Sequence, residues 1–280
     1  MKNEEKNKKC IYDEHMDNNK NNINGSLSGL VQILKQLRGE QGCPWDKAQT
    51  HESLKPCFIE ETYEVIDAID KRDMQSLEEE LGDVLLQVVF HANMAEEQGY
   101  FNMNDVINTV SKKMLYRHPH VFGNVDAENV DQAITTWEEM KSNEKNKKSY
   151  TEKMQEIPAA LPALMKSYKV QKKAADVGFD WEHIDSAFEK VREETSELFE
   201  IYQTGDTKKI EEELGDLLFA VVNVARFLKV DPEIALNATI KKFINRFNYI
   251  EKEAKSRFKG IEAMNLEEMD ALWEESKKFF

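Results

Sequence analysis

Glu78-Glu79-Glu80-Leu81-Gly82-Asp83-Val84-Leu85-Leu86-Gln87-Val88-Val89-Phe90 and Glu211-Glu212-Glu213-Leu214-Gly215-Asp216-Leu217-Leu218-Phe219-Ala220-Val221-Val222 are two versions of one segment. In each, an acidic cluster runs directly into a nearly all-apolar stretch. Upstream stands a second acidic cluster, Glu60-Glu61-Thr62-Tyr63-Glu64 in one case and Glu193-Glu194-Thr195-Ser196-Glu197 in the other. Downstream, Lys113 and Arg117 match Lys242 and Arg246, and Trp137-Glu138-Glu139 matches Trp273-Glu274-Glu275. Near each start a tryptophan, Trp45 or Trp181, lies beside an aspartate, so all four tryptophans fall two to a repeat. Anchors recurring in one fixed order are the mark of a duplicated domain.

The repeated unit reads as helical. Apolar residues recur at helical spacing, as at Phe58, Tyr63, Val65, Ile66 and Ile69, and strand alternation is missing. A helix through each EExxE cluster should turn near Lys71–Met74 or Thr204–Asp206. A second helix then carries EExxD and the apolar run, and a third carries the Lys and Arg. Asp206 or Thr207 suits a helix N-cap, and Pro232 suits a first helical turn. The expected fold class is all-α: two tandem four-helix-type repeats.

Helical spacing decides what the acids do. Residues three and four apart share a face, so Glu61 with Glu64, and Glu80 with Asp83, form one patch if their helices pack together. Glu194, Glu197, Glu213 and Asp216 do the same in the second repeat. One such cluster in an acidic chain is ordinarily a solvated face. Here each Asp abuts a buried surface. Each also follows a helical glycine, Gly82 or Gly215, which costs about 1 kcal/mol against alanine and suggests close backbone approach. Crowded carboxylates repel unless a cation neutralises them, and all-oxygen ligation suits Mg²⁺, with Mn²⁺ a possible substitute. Di-iron bundles use Glu-x-x-His pairs, and this sequence has none.

Composition narrows the classes further. Of the 280 residues, 40% are hydrophobic and 32% charged, with few Gly or Pro, which favours long helices. A formal net charge of −15 argues against binding a nucleic-acid backbone. It leaves room for a small phosphate substrate that arrives with a divalent cation. An odd set of three cysteines without CxxC, and no apolar leader or stretch of membrane-spanning length, point to a cytoplasmic protein away from the membrane. Residues 1–25 read as a disordered tail. The polar stretch Lys141–Lys153 suggests a linker, placed over 146–156, between repeats at 26–145 and 157–280.

The EExxE…EELGD…KxxxR order resembles the MazG family of all-α nucleoside triphosphate pyrophosphohydrolases. Cys43-Pro44-Trp45-Asp46 and Arg117-His118-Pro119-His120-Val121-Phe122-Gly123 resemble its amino-terminal domain. Val177-Gly178-Phe179-Asp180-Trp181 resembles its carboxy-terminal one. The resemblance covers about residues 26–280. It implies hydrolysis of nucleoside triphosphates to monophosphate and pyrophosphate, with Mg²⁺, broad base choice, a nucleotide-pool housekeeping role and a homodimer. It further implies that Glu194, Glu197, Glu213 and Asp216 hold metal, and that Lys190, Lys209, Glu212, Lys242, Arg246 and Trp273 contact the nucleotide. Lys113 and Arg117 are the first repeat's counterparts. Glu193 is a candidate base for the attacking water.

The repeats are not equivalent. Lys190 and Lys209 each precede a candidate ligand by one helical turn, and Cys57 and Ser76 stand at the matching positions of repeat 1. The second repeat is therefore expected to be the standard site. The first is expected to be a metal site of weaker or different specificity, or a dimerisation scaffold, with His118 and His120 beside Arg117 as possible phosphate holders. Two other readings compete: a narrow-substrate pyrophosphohydrolase of the dUTP or phosphoribosyl-ATP type, and a non-enzymatic regulatory protein on the same fold.

Overall fold

The computed structural model describes residues 25–144, 149–257 and 260–280, so the tail expected over 1–25 lies almost wholly outside the described residues. Among the described residues there are thirteen α-helices, one 3-10 turn and no strand. The chain forms two compact units, Met1–Glu144 and Lys145–Phe280.

The first unit holds α1 (Leu27–Arg38), α2 (Pro44–Ala48), α3 (Lys55–Lys71), α4 (Met74–Glu97), α5 (Met103–Arg117), α6 (Pro119–Phe122) and α7 (Val130–Asn143). Local chemistry sets these boundaries. Ser26 caps α1 by accepting from the Gly29 amide. Asp73 caps α4 by accepting from the Gln75 and Ser76 amides, after Arg72 turns the chain with φ of 56°. Asn102 and Asp105 cap α5 reciprocally, and Pro119 ends it. Because only two residues separate them, α3 and α4 pack as a tight helical hairpin. α1 and α5 pack against α4, and α7 against α5. The core joins Leu34 and Leu54 to Val89, Phe90 and Met94, with Leu86 and Cys57 at its margin.

The second unit holds α8 (Tyr150–Gln155), α9 (Ala163–Ala175), α10 (Ile184–Ile201), α11 (Thr207–Phe227), α12 (Pro232–Arg257), the 3-10 turn Ile261–Ala263 and α13 (Leu266–Ser276). Its α10–α11 hairpin repeats that of α3–α4. Here Gly205, with φ of 72°, takes the left-handed position, and Asp206 caps α11 through the Lys209 amide. α9 packs on α11 and α12, and α13 packs on α12. Ile250, Ala254, Met264 and Leu272 form the core between α12 and α13.

The chain divides between Glu144 and Lys145, and the stretch expected to be a linker contains helix α8. Its Ser149 and Glu152 form a reciprocal capping box, a local start signal that outweighs the polar composition. And a Cβ at Gly82 or Gly215 would meet nothing within 4 Å. Close approach within the chain is thus not what either glycine serves, since both lie on the outward side of their hairpin. Among the described residues, no helix is long and apolar enough to cross a membrane.

Leu34 is 1% exposed at the centre of the first core. Leu34→Ala is expected to lower the unfolding free energy of that unit by about 2–5 kcal/mol, measured by urea titration of helical circular dichroism. Leu272→Ala should act similarly on the second.

Candidate metal centres and nucleotide-binding residues

The helical hairpins bring the acidic clusters together. In repeat 1, one oxygen from each of Glu61, Glu64 and Glu80 lies within 4.8 Å of the others, joining α3 to α4. Asp83 falls outside that trio but lies near enough to raise the proton affinity of Glu61. In repeat 2, Glu194, Glu213 and Asp216 form such a trio across α10 and α11, and Glu193, Glu194 and Glu197 form another along α10. Glu194 is shared by both, and it is the most buried of these acids at 4% exposure.

The electrostatics are those of crowded like charges. Partial burial first, then the charges of Asp83 and Glu64, hold the Glu61 carboxyl above the usual carboxylate range. Glu80 is raised by partial burial and by Glu64. Glu197, although exposed, is raised first by desolvation from neighbouring atoms and then by the charges of Glu194 and Glu213, with Lys190 opposing. A divalent cation removes this repulsion. Fit to such an ion is best seen at Glu194. Its Oε1 lies 2.5 Å from Lys190 Nζ, while its Oε2 is buried and makes no hydrogen bond. A buried carboxylate oxygen with no donor suits a hard cation, and every neighbouring donor atom is oxygen.

The candidate cations are disposed unequally. Lys190 bridges Glu193, at 2.8 Å, and Glu194, and this pairing raises its pKa. Lys209 and Lys242 are exposed, as is Glu212. Arg246 lies over the Trp273 ring at 5.4 Å, and Trp273 also tilts against Phe243 and borders the α12–α13 core. Trp273 is thus a packed residue with an arginine already on its ring. In repeat 1, Lys113 is exposed and Arg117 is half-buried over Trp137. The positions matching Lys190 and Lys209 have structural work. Cys57 packs at the first core, and the Ser76 hydroxyl donates to the capping Asp73 carboxylate at 3.0 Å.

Sequence reading missed several polar contacts. His51 and His91 stack with their Nδ1 atoms 2.7 Å apart. Arg38 forms a bidentate ion pair with Glu97, and Arg226 one with Asp180. Gln171 is buried and donates to the Phe219 carbonyl on α11. These partners lie far apart in sequence and share no short motif. The only available signal was an isolated polar residue in an apolar helix face. His118 Nδ1 is 2.7 Å from the Met114 carbonyl, and the buried His120 Nδ1 makes no hydrogen bond.

Comparison with known proteins agrees with this geometry. A family model described as the MazG nucleotide pyrophosphohydrolase domain matches residues 49–122 and again 183–250, one match on each acidic hairpin. The chain is 46% identical over 248 residues to the nucleoside triphosphate pyrophosphohydrolase/pyrophosphatase MazG of Thermotoga maritima, covering 89% of this chain and 94% of that one. It is 44% identical over 255 residues to the nucleoside triphosphate pyrophosphohydrolase of Escherichia coli K12, covering 90% and 97%. It is also 49% identical over 253 residues to the uncharacterized protein YabN of Bacillus subtilis, of which it spans 52%. With duplicated acidic hairpins, a family match on both, and close relatives aligned over nearly their whole length, the chain belongs to the MazG family.

Proposed function

We propose that this protein hydrolyses nucleoside triphosphates to nucleoside monophosphate and pyrophosphate in the cytoplasm, at the α10–α11 site, with Mg²⁺. The observation that carries the reading is the shared, buried Glu194. It lies between two carboxylate trios, with one oxygen on Lys190 and the other without a donor. Glu194, Glu197, Glu213 and Asp216 would hold the ion. When bound, Mg²⁺ neutralises phosphoryl oxygens and lowers the pKa of an attacking water. Lys190 stands on the same helix face and would transfer its hydrogen bonds from Glu193 and Glu194 to the phosphate chain. That transfer frees Glu193 to accept the water's proton. Arg246, whose buried Nε has no partner, would complete phosphate binding. The open space at Gly215 leaves room beside Asp216 for a bulky anion.

A homodimer fits the surface of each unit. Ile240, Phe243, Ile244 and Phe247 stay at least 39% exposed in a stripe along α12, and Leu214, Leu218 and Val221 do so along α11. On the first unit, Ile59, Tyr63 and Ile66 form a similar stripe along α3. Apolar stripes of this length are normally covered by another surface, and a second copy of the chain covers them symmetrically.

Product analysis tests the activity: nucleoside monophosphate plus pyrophosphate is expected, and diphosphate plus phosphate would defeat the reading. Changing Glu194 and Glu197 together to Gln should lower kcat by about 100-fold or more, whereas the same change at Glu61 and Glu64 should cost far less. Full activity in the first variant would move the site to repeat 1. Thermal melts check the metal independently. Glu197→Gln should raise Tm in EDTA, because it relieves repulsion, and should shrink the rise in Tm that Mg²⁺ gives the wild type. For the dimer, sedimentation should give twice the chain mass, and Ile240→Asp with Ile244→Asp should give monomer with helicity retained.

A further inference from the structure

We infer that His51 and His91 are a one-proton latch in repeat 1: a single proton between their Nδ1 atoms ties the turn before α3 to α4, and a second proton opens it. Neither ring belongs to the acidic trio of that hairpin, so the latch does not rest on the function proposed above.

The two Nδ1 atoms lie 2.7 Å apart. The ring planes are parallel within 9°, and the 5.0 Å between ring centroids is close to that contact plus two ring radii, so the nitrogens point at each other. Such a gap is the length of a hydrogen bond. It is too short for a metal ion, whose bonds of about 2.0–2.1 Å would hold two head-on nitrogens about 4 Å apart. One nitrogen therefore carries the proton and the other offers a lone pair. The turn that holds His51 is closed on itself: the Thr50 amide donates to the Ser53 hydroxyl at 2.9 Å, and the Ser53 amide to the Thr50 hydroxyl at 3.1 Å. Leu54 follows at once and enters the core with Val89 and Phe90. Phe58 sets its ring edge toward His91, one helical turn before Glu61.

The matching positions of repeat 2 are apolar. His51 stands nine residues before Glu60 and His91 thirteen after Glu78, and the same steps from Glu193 and Glu211 reach Ile184 and Val224. Val224 is buried and Ile184 half-buried. Apolar burial alone therefore serves these places in the fold. A pair of histidines adds what an apolar pair lacks, a response to protons near neutral pH.

One proton between the rings suits a neutral pair or a singly charged one. Two charged rings set N–H against N–H and repel. Burial first, then His51, holds the His91 pKa below its usual value, with Glu52 opposing from the His51 turn. Lys55 in turn acts on Glu52. Helices α1, α3 and α5 pack on α4. On α1, Lys35 and Arg38 pair with Glu96 and Glu97. On α3, Cys57 lies at the core margin, and Glu61 and Glu64 belong to the acidic cluster. On α5, Asp105 is bonded in its own cap, Arg117 is held by Glu144, and Lys112 and Lys113 are exposed. The folded pair thus resists a proton that the unfolded segment takes up. Its stabilising effect is complete above the ordinary histidine pKa of about 6.5 and declines as pH falls below it.

The test follows amide hydrogen exchange of residues 51–58 in the full chain between about pH 7.5 and about pH 5, with residues 184–191 of repeat 2 as the internal reference. Corrected for intrinsic exchange, opening of the first segment relative to the second should rise about tenfold toward acid. His51→Ile with His91→Val, the residues repeat 2 uses, should keep that ratio level. A level ratio in the wild type, or a rise that survives in the double variant, would overturn the latch. If the double variant melts early, His91→Gln serves instead. Its amide gives His51 a partner that does not titrate in this range, so the rise should again vanish, and its persistence would count against the latch. Imidazole nitrogen NMR shifts supply a second readout. At about pH 7.5 the two Nδ1 atoms should share one proton, and any other pattern would equally overturn it.

Discussion

Everything in this molecule turns on carboxylates held closer together than water-exposed acids would choose. Two helical hairpins, α3–α4 and α10–α11, are tied by short turns and buried apolar faces, and those same contacts force Glu61 toward Glu80 and Glu194 toward Glu213. The apolar runs that follow each acidic cluster supply the holding force. Val89, Phe90 and Met94 are almost fully buried in the first unit, and Val222 is in the second. Hydrophobic burial thus works against like-charge repulsion, and each hairpin carries a crowded set of carboxylates that demands neutralising charge.

How each hairpin meets that demand separates the repeats. In repeat 2, Lys190 lies against Glu193 and Glu194, a monovalent partner that compensates the cluster only in part and leaves Glu194 Oε2 without a donor. In repeat 1 the equivalent position is Cys57, packed at the core margin, so Glu61 and Glu80 stay raised without a nearby lysine. One helical position has been assigned to electrostatics in one unit and to packing in the other. A lysine there would have to withdraw its ammonium from Leu54, Val89 and Phe90, a large desolvation cost.

Much of this was legible in the sequence because it is local. Hairpin turns, the Asp206 cap, the Pro232 helix start and the shared faces of Glu61 with Glu64 and Glu194 with Glu197 depend on spacings of a few residues. What stayed hidden depends on tertiary closeness. The polar stretch before α8 concealed a capping box at Ser149 and Glu152, since composition outvoted a four-residue signal. Gly82 and Gly215 invited a close-approach reading, but the open space around them is set by which side of the hairpin faces outward. The resemblance implies that Trp273 contacts the nucleotide. Its ring already carries Arg246, a contact decided by where α13 returns onto α12.

That return of the chain is where duplication left its clearest trace. Both units close by laying a tryptophan helix, α7 or α13, beneath the arginine of the preceding long helix. The Arg–Trp contact is therefore part of the fold, and it persists whether or not the arginine meets substrate. The residue that arrives seven positions later is free of that constraint. Glu144 meets Arg117 with both carboxylate oxygens, whereas Arg246 donates from Nη2 to the Phe280 main-chain oxygen and keeps a buried Nε without a partner. A half-buried arginine held by both oxygens of a carboxylate adds order to the unit. An arginine with a buried, unused Nε is held in the same place at some energetic cost, and that cost is recovered only when an acceptor arrives.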